Sequence, residues 1–371
     1  MAEAKQMKIL VLTSRYTATR DIVGEDFGRQ TRLFAALKKL GHDIDFFVAD
    51  YRKKENKNAK LHGIGVFIRP FGLLHFFDFI NSLDNFLKNK KYNFLIASSD
   101  PLWGFIGYHA AKRHKAKFVY DLHDNYETYS TYKIPFFGII DRSIIKKSYI
   151  VTTVSHALKG KISEIRKNNV FVVQNGVDVK LFRPMSKKKC RKSLNLPQDA
   201  KIIAYAGSIQ RLQGVDLLVD AFNSLKKEIK NLKLAVAGRF YRGEEKNIDF
   251  SHEGLVYLKS LPQEKVAKLI NAADAVVIPN PENAFTRYCF PYKAVEYMAC
   301  NTPIVATDVG DVKLLLKKYK NSICRQNDKK DMMKKIKLQL KKGKVGYRKD
   351  AIKNSWDNIA LRLDKILKEA K

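Results

Sequence analysis

The chain has 371 residues, of which 45% are hydrophobic and 11% aromatic, and its 70 Lys and Arg against 37 Asp and Glu leave a net charge of +33. This composition excludes gross disorder, and the length predicts two domains of about 150 to 200 residues each. The charge predicts attraction to a polyanion, which would be nucleic acid, an anionic membrane or a phosphorylated substrate.

Cysteine usage and the apolar segments indicate a cytoplasmic protein. The four cysteines show no paired short spacing, so we interpret them as reduced thiols and not as a disulfide or zinc framework. The first residues, MAEAKQMKILVLTSRY, contain no basic segment followed by a long apolar region, so we expect no signal peptide. No apolar run approaches the roughly 18 residues that a membrane-spanning helix needs.

Strand and helix signals alternate along the first half of the chain. Short β-branched apolar runs predict strands, and apolar residues at helical spacing predict helices. The predicted strands are 7–14, 44–49, 65–71, 93–98, 117–123, 150–155 and 170–176, and the predicted helices are 30–42, 73–90 and 103–114. This alternation predicts an α/β domain with a mostly parallel, doubly wound sheet covered by helices.

A second α/β pattern follows the polar stretch 183–200. Its predicted strands are 201–207, 233–238, 255–261, 275–279 and 303–308, and its predicted helices are 216–229, 265–274 and one that starts at Pro291. We therefore expect an N-terminal domain at 1–180, a C-terminal domain at 181–350 and a last helix at 351–371 that packs back on the N-terminal domain. Ligands of such sheets bind at the carboxyl ends of the strands.

The segment RYCFPYKAVEYMAC (287–300) places a cation and a carboxylate in the first turns of an apolar helix. Pro291 at the helix start leaves free backbone N–H groups, and the helix dipole adds partial positive charge there. A diphosphate would dock at that end, with Lys293 adding a full charge. Glu296, three residues further on the same face, would accept hydrogen bonds from ribose hydroxyls. The alternative is an ordinary helix start with a solvated ion pair.

The order of NGVD, AG with a following QG, DLLxxAF, AVVIP and EYMACxTPIVAT resembles the retaining glycosyltransferases of family four. The resemblance implies a GT-B fold, in which two Rossmann-like doubly wound domains face each other across a cleft. It also implies metal-independent transfer of a sugar from a UDP- or GDP-linked donor, with no cofactor. The donor would lie mainly on the C-terminal domain and the acceptor on the N-terminal domain.

The helix that starts at Pro291 is similar to a P-x-K-x-x-E-Y subgroup of that family. The resemblance implies that Tyr292, Lys293 and Glu296 bind the donor, with Glu296 on the ribose. The commoner family pattern has a second Glu eight residues before Glu296, where this chain has Tyr288, so the role of that carboxylate toward the donor sugar is open.

The phosphate side departs from the family pattern as well. The family typically has Arg one residue after the glycine of the first C-domain strand, where this chain has Ser208, and Lys before the next glycine, where it has Gln213. A diphosphate leaving group needs at least one cation, because charge develops on it as the glycosidic bond breaks. The candidates are Arg211, Arg239, Arg287 and Lys293. We rank Arg287 and Lys293 first because they flank the helix start.

In the N-terminal domain, His123 and Asp124 lie at the end of the predicted strand KFVYDLH. A strand's carboxyl end is where ligands bind, so we expect this pair to be catalytic: it could hydrogen-bond the donor sugar or support its leaving face. Members of the family that the chain resembles carry a similar His at this place. The alternative is a partly buried His with a structural role. Gly24 resembles part of the family's glycine loop beside the donor phosphates, and NGVD at 175–178 resembles its interdomain turn.

Three other functions compete with this interpretation. The charge alone would suit a basic nucleic-acid-binding α/β protein, but no helix-turn-helix, RNA-recognition or KH signature is visible, so we expect no nucleic acid partner. The absence of a GxGxxG fingerprint argues against a dehydrogenase. A sugar-nucleotide epimerase of the same architecture stays open.

Asp43 and Asp45 have the spacing of a metal-binding pair, but they lie far in sequence from the donor motifs, so we expect no metal.

Two stretches, 71–92 and 132–150, combine Phe, Leu and Ile side chains with a basic end. Such a segment can lie in a bilayer interface, with apolar side chains among acyl chains and Lys near anionic headgroups. We therefore expect an enzyme peripheral on the inner face of the cell membrane, with a lipid-linked or glycan acceptor. The alternative is that both apolar faces pack in the core of the N-terminal domain.

Overall fold

The structure is a computed structural model that describes residues 6–17, 20–26, 28–88, 90–343 and 345–370. The chain divides into two compact units. Unit 1 comprises Met1–Asn175 and Trp356–Lys371, and unit 2 comprises Gly176–Ser355.

Strands and helices are numbered in chain order. The strands are β1 Lys8–Ser14, β2 Tyr16–Thr17, β3 Arg20–Asp21, β4 Asp43–Asp50, β5 Lys57–Leu61, β6 Ile64–Pro70, β7 Phe94–Ser98, β8 Lys117–Leu122, β9 Ile150–Thr153, β10 Val170–Val172, β11 Lys201–Ala206, β12 Leu232–Ala237, β13 Leu255–Tyr257, β14 Ala275–Ile278, β15 Ile304–Thr307 and β16 Ile323–Cys324. The helices are α1 Arg29–Lys38, α2 Phe76–Lys88, α3 Pro101–Arg113, α4 Phe137–Lys147, α5 His156–Ser163, α6 Lys187–Ser193, α7 Val215–Lys226, α8 Gln263–Ala272, α9 Tyr292–Ala299, α10 Gly310–Leu316, α11 Lys329–Leu340, α12 Arg348–Ile352 and α13 Trp356–Glu369.

Unit 1 is built on an eight-stranded sheet in the order β10-β9-β8-β7-β1-β4-β6-β5. Its neighbouring strands run parallel except for β5, which pairs antiparallel with β6. The central strands β1, β4 and β7 are almost continuously buried, as expected for strands covered by helices on both faces. The order of the strands reverses between β1 and β7, so the carboxyl ends of these two strands form the crevice where ligands of such sheets bind.

Unit 2 carries a six-stranded, fully parallel sheet in the order β13-β12-β11-β14-β15-β16. Its core packs α7 and α11 against β11, β12 and β14, and Phe222 and Leu234 in this core are completely buried. The order of the strands reverses between β11 and β14. The binding crevice of this unit is therefore expected at the carboxyl ends of β11 and β14.

The structure contains helices that the sequence prediction lacks, among them α4, α6 and α11. The polar stretch 183–200 contains α6, whose helical start is capped by the Ser186 side chain, and Arg191 in this helix is buried and paired with Asp274 at 2.9 Å. A local hydrophobicity pattern does not show such a helix, because a buried ion pair anchors it. Helix α13 belongs to unit 1, where Asp364 lies 2.8 Å from His42 Nε2.

Candidate active site

Helix α9 positions the cation and the carboxylate that the sequence singled out in unit 2. Pro291 is the residue before the helix, and Tyr292 is its first residue. The buried face of α9 consists of Ala294, Val295, Tyr297, Met298 and Ala299. Because that face is anchored in the core, Lys293 and Glu296 lie together on the partly exposed side of the helix.

The Lys293 ammonium reaches back to the other side of the crevice at the carboxyl end of β11. Its Nζ donates to Gln213 Oε1 at 2.9 Å and to the Tyr205 hydroxyl at 3.2 Å, and it lies 4.7 Å from the centre of the Tyr205 ring. Lys293 therefore links α9, which follows β14 in the chain, to the carboxyl end of β11, and the strand order of unit 2 reverses between these two strands. It places a positive charge where parallel sheets of this type bind their ligands.

Burial perturbs the ionisation of both side chains. It lowers the pKa of Lys293 to about 8, an effect that the charges of Cys289 and Glu296 oppose. Burial also raises the pKa of Glu296 to about 7, an effect that the charge of Lys293 opposes. Both charged side chains have lost part of their hydration on burial. A ligand with negative charge and hydroxyl groups would replace that water, so the shifted pKa values of this pair suit a binding site for such a ligand.

Two glycines bring backbone close together beside Lys293. A Cβ at Gly207 would lie 3.0 Å from the Tyr205 hydroxyl and 3.4 Å from Lys293 Nζ. A Cβ at Gly238 would lie 1.8 Å from the carbonyl oxygen of Gly207. Only glycine fits at position 238, so the turns after β11 and β12 are held in contact next to the ammonium group.

The three arginines that the sequence proposed as phosphate ligands do not converge on Lys293. Arg287 is half-exposed and pairs with Glu282, which also accepts from Gln326 Nε2 at 2.9 Å. Arg211 is exposed and lies 3.5 Å from Glu244. The Arg239 side chain is exposed at the end of β12, and its carbonyl accepts from the Ile209 amide at 2.9 Å.

Ser208 follows β11, and Tyr292 is the first residue of α9. Ser208 is exposed, and its carbonyl accepts from the Tyr205 hydroxyl at 2.7 Å. Tyr292 is partly exposed on the first turn of α9. Ser208 thus accepts from Tyr205, which in turn contacts Lys293, whereas Tyr292 lies next to Lys293 on α9.

In unit 1, His123 follows β8 near the point where the strand order reverses. Its Nε2 lies 2.9 Å from the Tyr126 hydroxyl and 3.5 Å from Gln30 Nε2, and Gln30 also donates to the Ser98 carbonyl at 3.4 Å. The Gln30 amide nitrogen only donates, and the Tyr126 hydroxyl can donate to the same ring nitrogen, so this arrangement suits Nε2 as the acceptor with the proton on Nδ1. His123 Nδ1 is buried and has no hydrogen-bond partner among the described residues.

A buried ion pair lies beside His123 and modulates its ionisation, which burial dominates. Arg29 donates to Asp121 through Nε and Nη2 at 3.0 and 2.9 Å, and Asp121 also accepts from Ser98 and Thr152 at 2.7 and 2.6 Å. Burial alone would raise the pKa of Asp121, but Arg29 holds it at about 2. Burial lowers the pKa of His123 to about 4; the Arg29 charge adds to this effect and the Asp121 charge opposes it. His123 is therefore a neutral imidazole at pH 7.

The remaining two predicted residues of unit 1 have local partners. Asp124 accepts from the Tyr129 hydroxyl at 2.7 Å and from the Asn125 amide at 2.8 Å, and burial raises its pKa. No hydrogen bond joins it to His123 within the described ranges. The Gly24 amide donates to Asp21 Oδ1 at 3.0 Å, and Asp21 in turn pairs with Arg15 at 2.8 Å. Gly24 thus lies in a turn that Asp21 organises.

Sequence reasoning missed several residues of these two sites. In unit 2 it treated Gln213 only as a departure from the family pattern, and Tyr205 lay hidden in an apolar strand. In unit 1 it missed Gln30, Arg29 and Asp121, which join α1 to β8 across the sheet. Polar residues inside otherwise apolar strands, such as Asp121 in KFVYDL, were the available signal.

No group of three or more His, Cys, Asp and Glu side chains in the described residues could hold a metal ion. No helix in the described part of the chain has the length and apolar character needed to cross a membrane.

The sequence and the fold of the chain are similar to those of known glycosyltransferases. Residues 186–368 match the family described as Glycosyl transferases group 1, and residues 31–181 match Glycosyltransferase Family 4. The architecture is the GT-B fold, with a Rossmann-like parallel sheet in each unit. The two matched ranges fall mainly on unit 2 and unit 1 respectively, so each unit is similar to a glycosyltransferase domain.

Individual relatives match parts of the chain. D-inositol 3-phosphate glycosyltransferase 1 of Catenulispora acidiphila is 32% identical over 154 residues, which are 38% of this chain and 36% of that protein. D-inositol 3-phosphate glycosyltransferase of Mycobacterium tuberculosis is 33% identical over 152 residues, 38% of this chain and 29% of that protein. The matches thus span about a third of the length of these relatives.

Solved structures match the whole fold. Sucrose-phosphate synthase from Thermosynechococcus elongatus superposes with a TM-score of 0.76 at 17% identity, covering 98% of this chain and 99% of that one. Anabaena Alr3699/HepE in complex with UDP superposes with a TM-score of 0.74 at 16% identity, covering 98% and 100%. At these identities the likeness establishes the fold alone.

Proposed function

We propose that the protein is a metal-independent, retaining glycosyltransferase that binds a nucleoside diphosphate sugar at the first turns of α9. The proposal rests on the contacts of Lys293. Its ammonium joins α9 to Tyr205 and Gln213 at the point where the strand order of unit 2 reverses. The diphosphate would bind at this ammonium and at the positive end of the helix dipole. Glu296 would accept hydrogen bonds from the ribose.

Lys293 is our candidate for the cation that the family usually supplies from elsewhere. Resemblance puts a lysine at the position of Gln213, and Gln213 Oε1 is 2.9 Å from Lys293 Nζ. The Lys293 ammonium, on α9, would thus lie beside the position at which the family has its own lysine. Its task would be to stabilise the negative charge that develops on the leaving diphosphate.

His123 is proposed to contact the donor sugar as a hydrogen-bond donor. With a pKa near 4 it carries no charge at neutral pH, and its Nδ1–H lacks a partner among the described residues. A sugar hydroxyl or ring oxygen would satisfy that group. Asp124, held by Tyr129, would accept from a sugar or acceptor hydroxyl.

We also propose the donor nucleotide, the acceptor and the place where the enzyme works. The donor nucleotide is UDP or GDP; a solved structure of similar fold, Anabaena Alr3699/HepE, is a complex with UDP. The acceptor is a lipid-linked or membrane-associated glycan, and the enzyme works on the cytoplasmic face of an anionic membrane. The net charge of +33 supports that location.

Isothermal titration calorimetry with UDP and GDP tests the donor site. Lys293→Ala and Glu296→Ala should each weaken nucleotide binding by about 1.5 to 3 kcal/mol, the range for losing a charged hydrogen bond. Lys226→Ala is the matched control. Lys226 is the last residue of α7 and pairs with the exposed Glu253, outside the proposed donor site. Unchanged affinity in both site variants would contradict the donor site, and binding of an RNA oligomer instead of nucleotides would favour the nucleic-acid alternative.

A further inference from the structure

A groove of about 690 Å³ lies along one edge of the sheet in unit 1. Its floor is β10, the strand at one end of the eight-stranded sheet, and its walls are α5 and the second half of α13. The lining residues are other than those assigned above to the donor site and to the contacts of His123. The volume is within the range of roughly 300 to 1,000 Å³ that is typical of small-molecule sites.

The topology of unit 1 explains why two helices flank the edge of one strand. From β1 through α1 to β4 the chain steps across the sheet in one direction, and from β9 through α5 to β10 it steps in the other. Because crossovers between parallel strands are right-handed, α1 and α5 lie on opposite faces of the sheet. Helix α13 packs against α1 and so shares its face. The groove therefore wraps around the outer edge of β10, with one helix on each side.

Positive charge gathers toward one end of this groove. Arg362 and Lys365 lie three residues apart on one face of α13, and Arg362 Nη1 donates to Gln174 Oε1 at 3.3 Å, just beyond the end of β10. His156 and Lys159 line the groove from the first four residues of α5, where the helix dipole is positive. Lys159 and Lys365 make no salt bridge with any residue that the structure describes. This end of the groove therefore suits an anion.

Apolar side chains line the middle of the groove. Phe171 and Val172 come from β10 and Ile366 from α13, and all three are partly exposed. Glu369 also lines the groove, but it is the last residue of α13 and follows Arg362 by seven residues, which is about 10 Å along the helix. The groove thus has a basic end and an apolar middle, with the carboxylate at the opposite end.

We propose that this groove binds a phosphate monoester or diester that carries an apolar group. The phosphate would lie between Lys159 and Lys365 on the two walls, and the apolar group would cover Phe171 and Val172. A neutral sugar would leave the cations uncompensated, and inorganic phosphate would leave the apolar lining in water. The site goes beyond the donor site proposed above and does not depend on it. An anionic phospholipid and a free phosphorylated compound both have this chemistry.

Isothermal titration calorimetry of the full chain with octyl phosphate, below its micellar concentration, tests the site. Octyl phosphate should bind at least about tenfold more tightly than inorganic phosphate, because it also buries methylene groups, and at least about tenfold more tightly than octanol, which lacks the charge. The variant Lys159→Ala, Lys365→Ala should bind octyl phosphate at least about tenfold more weakly. The control Lys112→Ala, Lys146→Ala removes equal charge from α3 and α4 of unit 1 and should bind like wild type.

A variant of the lining separates the apolar contribution from the charge. Ile366→Thr should weaken the binding of octyl phosphate about threefold to tenfold and leave that of inorganic phosphate unchanged. Thermal melting followed by circular dichroism checks that each variant keeps its fold. Octanol that binds as tightly as octyl phosphate, or wild-type affinity of the Lys159→Ala, Lys365→Ala variant for octyl phosphate, would overturn the inference.

Vesicle flotation distinguishes the two sources of the ligand. The vesicles consist of equimolar phosphatidylcholine and phosphatidylglycerol. If they bind wild type and bind the Lys159→Ala, Lys365→Ala variant at least about tenfold more weakly, the ligand of the groove is a phospholipid. If they bind both proteins equally while octyl phosphate still distinguishes them, the ligand is a free phosphorylated compound.

Discussion

Replacing Glu296 by Gln should stabilise the protein and weaken nucleotide binding at the same time. Burial raises the pKa of Glu296 from its ordinary value of 4.5 to about 7. Each unit of pKa difference between the folded and unfolded states corresponds to about 1.4 kcal/mol. Holding this carboxylate ionised in the folded protein therefore costs about 3 kcal/mol at pH 8, an upper estimate.

The sign of the pH dependence follows from the raised pKa. Below pH 4.5 the carboxyl is protonated in both states and costs nothing. The cost grows as the pH rises from 4.5 to 7 and is constant above 7, where the side chain is ionised in both states. The free energy of unfolding of Glu296→Gln should thus exceed that of wild type by up to about 3 kcal/mol at pH 8, and the difference should vanish near pH 4.5.

Urea unfolding and calorimetry at several pH values measure the two effects. Glu296→Gln should lose about tenfold to a hundredfold in UDP or GDP affinity at pH 8, because a neutral amide is a weaker acceptor for ribose hydroxyls. Glu253→Gln is the control, since Glu253 is exposed and paired with Lys226, which lowers its pKa. A Glu296→Gln protein that is less stable than wild type at pH 8, or a gain that does not change with pH, would refute this reasoning.

Two further predictions concern the reaction. Transfer should persist in EDTA and yield a product with the donor's anomeric configuration, as NMR of the product would detect; loss of activity in EDTA that Mg²⁺ or Mn²⁺ restores would contradict metal independence. His123→Ala should lower kcat about tenfold, the effect of one lost hydrogen bond, whereas His123→Asn keeps an N–H donor near the position of Nδ1 and should retain more activity. Because the pKa of His123 is about 4, the pH–rate profile of the wild type should show no His123 titration between pH 5.5 and 7.5.

The sequence by itself determined the α/β class and the start of α9. Buried parallel strands require continuous apolar, β-branched runs, and KILVLTS, IVTT and IVAT show them without any tertiary information. Pro291 followed by Lys293 and Glu296 three residues apart predicts their shared helical face from geometry alone. These features are visible because strand and helix periodicity are local properties of the chain.

Only the tertiary structure decided which groups surround those residues. The contact between Lys293 and Gln213 joins positions 80 residues apart, and the pairing of Arg29 with Asp121 joins positions 92 apart. Desolvation produces the pKa values of Lys293, Glu296 and His123, and it depends on every element packed around them. The same applies to the apolar side chains of α2 and α4. Packing against neighbouring elements buries Phe79 and Ile144 but leaves Phe77 and Phe136 in solvent. Burial is thus a property of the assembled layers and cannot be read from the segment alone.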